Sequence, residues 1–352
     1  MKHIGFIRSQ RPVFAWLLIL ALNLAACGTA SPTQEGLPTV VNESPAIATE
    51  IETPTEAIAT ATEPEPTQAP SLTPTPSERY LGDIVEEDGV WLTALAVQDP
   101  ATPGMFASIG AGNKLVAVEV VIGNSGSGQV SVNTLYAQLV DTDGFIYQSE
   151  LASLETGLNL NTVTLFKGEK AKGWIAFEIP QEAIPSILIY KPELFGKTSL
   201  EASLLPAPAG HMADTTLLEA TPEPPTVRLG ETAISGGAAL TISAVEDPST
   251  PGIFTSIVPG NKLVAVKVIL ENQSADKLSV NPLYGYLVDD HGYVYAAELF
   301  GRDGGLEAAD LVQGTKAQGW ISFQIPEESK PAAFKYELDG FSGEFLVVGL
   351  LP

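Results

Sequence analysis

Two stretches of the chain, residues 116–122 and 264–270, place an aliphatic side chain at every second position. The intervening positions carry one charge in each stretch, Glu119 in the first and Lys267 in the second. Successive side chains of a β-strand point to opposite faces, so the aliphatic row faces a core and the charged row faces outward. The pattern predicts one half-buried strand in each stretch.

Neighbouring segments extend this pattern into an antiparallel fold. Residues 175–179 and 321–325 alternate Ile and Phe with smaller or polar residues and predict a second inward-facing strand in each half. A strand–turn–strand unit is predicted around Gly144 and another around Gly292, because glycine supplies the positive φ of a tight hairpin turn. Short strands separated by Gly, Asn and Pro, without a helical period, predict an antiparallel sandwich.

The two halves are copies of one domain. Residues 112–151 align without gaps with residues 260–299, and 21 of the 40 aligned positions are identical. A DP(A/S)TPG segment precedes both stretches, and a KA-x-GW segment follows both. We therefore predict two β-sandwich domains, residues 80–206 and 227–352, joined by a linker at residues 207–226.

The N-terminus has the order of a secretory signal. Lys2, Arg8 and Arg11 precede an apolar run that ends in Leu24-Ala25-Ala26-Cys27. This tetrapeptide resembles the lipobox of bacterial lipoproteins, which implies cleavage of a signal peptide at residues 1–26 and lipid attachment at Cys27. The apolar run is short for a membrane span of about 20 residues. An ordinary signal peptide with an incidental cysteine is the alternative.

A stalk is predicted between the leader and the first domain. Residues 28–79 contain 11 Thr, 9 Pro and 8 Glu and no aromatic residue. Such a segment buries too little apolar surface to offset the entropy of ordering, and its prolines favour extended backbone. We predict a lipid-attached, disordered linker over residues 27–79.

Charge and composition exclude several classes of function. The net charge is -24, from 18 basic and 42 acidic residues, which disfavours binding to nucleic acid or direct adsorption to an anionic membrane. Cys27 is the single cysteine, and the three histidines are scattered as His3, His211 and His291. Catalysis by Ser-His-Asp or Cys-His sites therefore lacks its residues, and we predict no enzyme, no cofactor and no metal centre.

Candidate binding residues lie in repeated segments. Asp99 and Asp247 begin the DP(A/S)TPG loops, which form either tight turns or a ligand-contacting rim. Trp174 and Trp320 fall on the outward face of their strands, where each is either a binding platform or a side chain packed under a loop. The DTDG segment at residues 141–144 is typical of a hairpin turn, with a weak cation site as the alternative.

The order of the shared motifs resembles a known family. LG(D/E) comes first, GNKLVAV second, LVD followed by G and Y third, and KA-x-GW last. This order is similar to that of telokin-like, immunoglobulin-like secreted domains of unknown function, which are common in bacterial lipoproteins. The resemblance implies an all-β fold: two tandem immunoglobulin-like antiparallel β-sandwiches after a signal peptide and a disordered Pro/Thr/Glu-rich stalk. It transfers no catalytic residue.

These features together predict a lipid-anchored protein on the outer face of a membrane. The paired domains are expected to act as a non-catalytic binding, adhesion or structural module of the cell envelope, with an extracellular protein or a polysaccharide as partner. A ligand- or cation-sensing accessory domain of a transporter or signalling complex is the alternative. A hydrolase that uses two carboxylates is a third hypothesis and requires facing acids in a cleft.

Overall fold

The computed structural model describes residues 79–104, 107–152, 154–155, 157–193, 197–339 and 342–351. These residues belong to one compact unit, Ser71–Pro352. The leader, Cys27 and the stalk up to residue 78 lie outside the described residues, and what the sequence predicts for them stays a prediction.

The first copy folds into antiparallel strands. They are β1 (Val85–Glu87), β2 (Val90–Gln98), β3 (Asn113–Asn124), β4 (Val130–Val132), β5 (Ala137–Asp141), β6 (Ile146–Glu150), β7 (Val163–Leu165), β8 (Lys170–Pro180), β9 (Pro185–Tyr190) and β10 (Leu200–Ser203). Eight of them form a sheet in the order β1-β2-β3-β8-β6-β5-β9-β10, and β4 pairs with β7. The β6–β8 pairing joins two halves of this sheet, which pack against each other across one core.

The second copy repeats this arrangement with two separate four-stranded sheets. Its strands are β11 (Thr232–Ser235), β12 (Ala238–Glu246), β13 (Asn261–Asn272), β14 (Leu278–Val280), β15 (Gly285–Asp289), β16 (Val294–Ala296), β17 (Ala309–Leu311), β18 (Lys316–Pro326), β19 (Pro331–Glu337) and β20 (Phe345–Gly349). The sheet orders are β11-β12-β13-β18 and β16-β15-β19-β20, with β14 paired to β17. The all-β, two-sandwich prediction is confirmed.

Helical structure is confined to three short segments of the described residues. Two 3₁₀ turns, Thr134–Tyr136 and Pro282–Tyr284, occupy the same place in the two copies, each capped by the preceding asparagine. One helical turn, α1 (Thr216–Glu219), lies between the sandwiches. Within the described part of the chain, no helix combines the length and the apolar character that a membrane span needs.

The predicted aliphatic rows form the two cores. In β3 the side chains of Val116, Val118, Val120 and Ile122 are fully buried, and the second copy buries the corresponding row of β13. The inward-facing residues of β8 and β18 line the same cores from the neighbouring strand. Alternation therefore predicted correctly which face of these strands packs inside.

The outer face of β3 is also buried, which the alternation did not predict. Leu115 and Ala117 point away from the main core, yet both are covered, because Ala101 and Leu154 from two loops pack over them. The prediction of a half-buried strand is therefore wrong at these positions. Loops that lie far away in the sequence supply the cover, and a local pattern does not reveal them.

Both predicted hairpins are present, with Gly144 at φ 87° and Gly292 at φ 84°. Asp141 holds the first turn: one carboxylate oxygen accepts hydrogen bonds from the backbone N–H groups of Asp143 and Phe145, and the other accepts one from the Tyr147 hydroxyl. Because these groups stabilise the carboxylate, they outweigh its desolvation and hold the pKa of Asp141 below its usual value.

The two sandwiches share a continuous apolar contact. The outer face of the β16-β15-β19-β20 sheet packs against the first sandwich, where Tyr286, Val288, Val294 and Ala333 are buried in the first core cluster. Strand β16 contacts β7 and β8, and the Lys170 N–H donates to the Gly292 carbonyl at 3.0 Å. We call this contact the junction.

A buried ion pair lies in the junction. The Lys335 ammonium contacts the Glu169 carboxylate at 2.5 Å, and the two side chains are 0% and 4% exposed. The ammonium also donates to the Thr164 carbonyl at 2.8 Å and lies 4.3 Å from the centre of the Phe166 ring. Burial lowers the pKa of Lys335, and the neighbouring Glu169 opposes that shift by favouring the charged form.

The segment predicted as a linker, residues 207–226, makes specific contacts beside the junction. The Lys170 ammonium donates to the carbonyls of Leu218 and Ala220, and the His211 ring nitrogen lies 2.6 Å from the Asp83 carboxylate. Residues 207–226 therefore contact the first sandwich through specific polar groups, and Thr221 and Pro222 also lie against Gly292 of the second sandwich. A proline-rich composition did not indicate these contacts, because the partners lie on distant strands.

The buried pair generates a stability prediction. Lys335→Met should lower the free energy of unfolding by about 3–5 kcal/mol, because it leaves Glu169 as an unpaired buried carboxylate. The double variant Glu169→Leu/Lys335→Met removes both charges and should recover most of this loss. Urea unfolding of the full chain at neutral pH measures both, with the exposed Lys316→Met as control. A loss equal to that of the control would contradict the assignment.

Two tyrosines, one buried and one partly buried, generate a pH prediction. Desolvation and the neighbouring Asp141 raise the pKa of Tyr147 to about 12, and desolvation with Glu337 raises that of Tyr286 to about 12. Above the ordinary pKa of 10.0 the unfolded chain loses these protons first, so the free energy of unfolding should fall as pH rises from 10 toward 12. Denaturant unfolding over this range, with absorbance of the phenolate, tests it; constant stability would refute it.

Candidate functional site on the loop layer

Each sandwich carries a layer of loops on the outer face of its central strands. In the second sandwich the layer consists of residues 247–260 and 297–306. The Ser249 N–H donates to the Leu263 carbonyl at 2.7 Å, and the Glu298 N–H donates to the Ser322 carbonyl at 2.8 Å. These bonds tie both loops to β13 and β18, and the first sandwich carries its loops on β3 and β8 in the same way.

The predicted site residues Asp99 and Asp247 anchor the base of these loops. Asp99 pairs with Lys114 at 2.7 Å, and Asp247 pairs with Lys262 at 2.8 Å. Both aspartates precede a cis-proline. The same ion pair therefore fixes the start of the DP(A/S)TPG loop in both copies, which matches the turn interpretation of the motif.

Trp320 lies beneath the loop layer and is covered by charged side chains. The Arg302 guanidinium lies 4.0 Å from the centre of its ring, a stacking arrangement, and the Lys267 ammonium lies 5.8 Å away. Arg302 also forms an ion pair with Glu246, the residue before Asp247. This network joins the DPSTPG loop to the tryptophan and favours packing over a free binding platform.

Trp174 is covered by the loop backbone itself. The backbone N–H of Trp174 donates to the Leu158 carbonyl at 3.0 Å, and the backbone carbonyl of Trp174 accepts from the Leu160 N–H at 2.9 Å. Gly157 has φ 84°, and a Cβ at this position would lie 2.4 Å from the indole nitrogen. Only glycine leaves room for the ring here, so the geometry again favours packing under the preceding loop.

A cluster of exposed apolar side chains lies on the outer surface of the loop layer in the second sandwich. Ile253, Phe254, Leu299 and Phe300 are 87%, 80%, 71% and 56% exposed, and the two phenylalanine rings lie 6.2 Å apart. We call these four residues the aromatic patch. Exposed apolar side chains gathered in this way are typical of an interaction surface.

The loops that present the patch are held by the sheet below. The Gln324 side chain accepts from the Val258 N–H at 2.9 Å and donates to the Ser256 carbonyl at 3.1 Å. Across the two loops, the Gly252 N–H and the Thr255 hydroxyl donate to one carbonyl, that of Gly301, at 3.0 and 2.6 Å. The aromatic patch therefore stands on a preorganised base.

The first sandwich clamps its loop with a charged group in the position of Gln324. The Glu178 carboxylate accepts from the Asn113 side-chain amide at 2.5 Å and from the Gly110 N–H at 3.0 Å. Because both donors favour the ionised carboxylate, the pKa of Glu178 lies below its ordinary value. The equivalent loop positions to the patch include Met105 and Phe106, which lie outside the described residues, and Leu151, which is exposed.

The acidic residues of the hairpin turns form hydrogen bonds within their own hairpins. Asp289, Asp290 and His291 have ligand atoms within 4.8 Å of one another. One Asp289 oxygen, however, accepts from the N–H groups of His291 and Tyr293, and the other accepts from the Tyr295 hydroxyl. The same bonds hold the first-copy turn at Asp141, so these carboxylates serve the hairpins.

A cavity of about 1110 Å³ lies at the junction. Its walls include Trp91, Phe166 and Pro222 together with the acidic residues Glu169 and Asp289. Both of these acids are already engaged, Glu169 with Lys335 and Asp289 with its own hairpin. These two carboxylates therefore serve the fold, and two further acids, Glu223 and Asp290, also line the cavity.

The family profile described as Domain of unknown function (DUF4352) matches residues 80–201 and 227–345. The chain belongs to this family. Both sandwiches carry a DUF4352 match, which confirms the resemblance drawn from the motifs and the tandem repetition. No curated protein matches the chain.

Several solved structures align with about one sandwich of this DUF4352 protein. A Bacillus subtilis protein described as a candidate lipoprotein, YcdA, is 13% identical over 34% of this chain and 38% of its own, with a TM-score of 0.30. The secreted protein MPT63 of Mycobacterium tuberculosis is 16% identical over 37% of this chain and 98% of its own, with a TM-score of 0.29. A β-sandwich protein of Clostridium difficile is 14% identical over 37% of this chain and 98% of its own, with a TM-score of 0.24.

The aromatic patch was missed at the sequence level, although a signal exists. Phe254 follows the Pro-Gly turn of the DPSTPG loop by two residues, and Phe106 holds the same position in the first copy. Aromatic residues repeated in a turn-rich loop, outside any alternating strand, point to exposure. The tryptophans drew attention instead, because their strand phase indicated an outward side chain.

Proposed function

We propose that this protein is a non-catalytic binding module of the cell envelope, held by a lipid at Cys27 on the outer face of a membrane. The leader, the lipobox-like tetrapeptide and the acidic, Pro/Thr-rich stalk support this location. Two or three acyl chains bury enough methylene groups for stable anchoring, at about 0.8 kcal/mol per methylene.

The aromatic patch is the observation that carries the binding role. Two phenylalanines and two aliphatic residues stand exposed on loops that are pinned to a sheet, and this combination of aromatic anchors with a rigid base is typical of binding surfaces. Preorganised loops also lose little entropy on binding. The patch therefore supplies the contact and the sandwich supplies the support.

An envelope protein is the favoured class of partner. Trp320 is not free to stack on a sugar, because the Arg302 guanidinium already lies against its ring. The patch itself offers apolar side chains, which suit the desolvated centre of a protein–protein interface. Its surroundings add the ion pair of Arg302 with Glu246 as a polar rim.

The two-domain arrangement suits an interaction module. The junction buries apolar surface and an ion pair, so the two loop layers are carried by sandwiches in fixed contact. Two modest sites on one tethered chain bind more tightly than either alone, because the second contact forms at a high effective concentration.

The anchor is tested by fatty-acid labelling. Cells that express the full chain and are fed a clickable palmitate analogue should yield a labelled protein, and Cys27→Ala should remove the label, because the thiol is the acylated group. Fractionation should then show Cys27→Ala released from the membrane. Label that persists in Cys27→Ala would refute lipid attachment at this residue.

The patch is tested by retention on isolated cell envelopes. The double variant Phe254→Ser/Phe300→Ser should bind about thirtyfold or more weakly, because loss of even one aromatic anchor typically costs about 2 kcal/mol or more. Ile234→Ser, which removes an equally exposed apolar side chain from β11, is the matched control and should bind normally.

Protease treatment of the envelopes identifies the class of partner. Loss of retention after treatment supports a protein, whereas retention that survives it and disappears after digestion of the polysaccharide would overturn that choice. Equal retention of the double variant and the Ile234→Ser control would remove the patch from the binding role.

A further inference from the structure

The junction consists of two surfaces, and each has an uncovered counterpart in the other copy. In the second sandwich the outer face of β15, β16 and β19 is docked on the first sandwich; we call it the docked face. The first sandwich receives it on an edge formed by β7 and residues 166–170, the docking edge. The equivalent open face lies on β5, β6 and β9, and the equivalent free edge lies on β17 and residues 312–316.

The open face keeps part of the apolar character of the docked face, although Gln138 and Gln148 replace Tyr286 and Ala296. By strand register, Ile146, Val140 and Ile187 occupy the positions that Val294, Val288 and Ala333 fill in the second copy. Ile146 is 57% exposed, whereas Val294 is 5% exposed in the junction. The first sandwich therefore presents an exposed Ile146 beside the partly buried Val140 and Ile187, where the second sandwich buries the corresponding row.

Phe145 extends the open face at the hairpin. It holds the place of Tyr293, whose ring lies 5.0 Å from the Lys170 ammonium in the junction. Phe145 is 66% exposed. Its ring can take the same position over a lysine that Tyr293 takes inside the chain.

The free edge repeats the docking edge in an exposed form. Val312 holds the place of Phe166 and is 54% exposed, and Lys316 holds the place of the buried Lys170. Gly314 repeats the turn glycine Gly168 with a similar positive φ. The two edges thus share one backbone shape, one apolar position and one lysine.

Neither charge of the buried Lys335–Glu169 pair has a charged counterpart on the open face or the free edge. Ile189 replaces Lys335 on the open face, and Thr315 replaces Glu169 on the free edge. A contact between these two surfaces therefore does not bury one partner of this pair alone, which is the costly outcome when only one charge is lost, and Lys316 keeps Glu271 as its partner. Loss of only one of the two would have prevented such a contact.

The sequence before the first sandwich repeats the segment that lines the junction. In the junction Thr221 and Pro222 lie directly against Gly168 and Gly292. Residues 73–76 read Thr-Pro-Thr-Pro, and residues 221–224 read Thr-Pro-Glu-Pro at the same distance before the LG(D/E) motif. Each sandwich is thus preceded by a similar segment.

We propose that a second copy of this chain binds through these surfaces, so that the open face of one molecule docks on the free edge of the next. Inside one chain, the junction docks the second sandwich on the first. The proposed contact repeats this docking between neighbouring molecules. Such a heterologous contact joins different surfaces of the two molecules and extends head to tail unless its rotation closes a ring. Attachment to one membrane would raise the local concentration and allow a modest contact to act.

Cysteine crosslinking tests this register directly. Two full-length chains that lack Cys27 through Cys27→Ser, one with Phe145→Cys and one with Lys316→Cys, should form a covalent heterodimer when they are mixed and oxidised. The positive control is a single chain with Lys170→Cys and Tyr293→Cys, the equivalent positions in the junction. These two cysteines should form a disulfide within the molecule. Ile234→Cys mixed with Lys316→Cys is the negative control.

Sedimentation of the full chain in detergent measures the association without crosslinking. Ile146→Asp and Val312→Asp should each weaken self-association by about tenfold or more, because each buries a carboxylate without a partner. Ile234→Asp should leave it unchanged. Circular dichroism and thermal unfolding establish that each variant is folded.

The outcomes separate this proposal from the binding role of the aromatic patch. Phe254→Ser/Phe300→Ser should still self-associate, and Ile146→Asp should still bind envelopes. A chain that stays monomeric at all concentrations overturns the proposal. So does a yield of Phe145→Cys/Lys316→Cys heterodimer no higher than that of the Ile234→Cys control, provided that the junction pair forms its disulfide. Self-association abolished by the patch variant alone also overturns it, because the patch would then be the self-contact.

Discussion

The cost of leaving an apolar sheet face in water is the constraint that organises the described part of the molecule. The inner faces cover each other and form the two cores. The outer face of β3 is covered by loops, and the outer face of the β15-containing sheet is covered by the first sandwich. The corresponding face around Ile146 is left uncovered, which is why self-association through it is a physical expectation.

Three kinds of element pack on the sheet faces, namely a second sheet, a loop layer and a neighbouring domain, and they differ in the surface that they leave for recognition. A second sheet fills a face with interdigitated side chains and leaves no surface for recognition. A loop layer covers the face below and still presents side chains above, so Phe254 and Phe300 stand exposed on loops held by Gln324 and by the ion pair of Asp247 with Lys262. The junction uses the third kind of cover, a neighbouring domain, and adds Lys335 and Glu169 as a polar element that only one arrangement satisfies.

Duplication explains why the two copies have diverged where they did. Residues that build each sandwich, such as the hairpin aspartates Asp141 and Asp289, keep the same bonds in both copies. Residues at the junction differ, because only one copy of each surface is buried there: Glu169 corresponds to Thr315, and Lys335 corresponds to Ile189. The family membership describes the shared scaffold, whereas these differences belong to the tandem arrangement of this chain.

The sequence by itself determined the strands, the hairpins and the duplication, because alternation and positive-φ glycines act over a few residues. It also singled out Asp99, Asp247, Trp174 and Trp320, but it left open whether they bind or pack. Only the tertiary structure decided that Leu115 is buried, that Arg302 stacks on Trp320 and that residues 207–226 line a domain contact. Those outcomes depend on which distant segments cover a given face, and a period-two pattern contains no information about the cover.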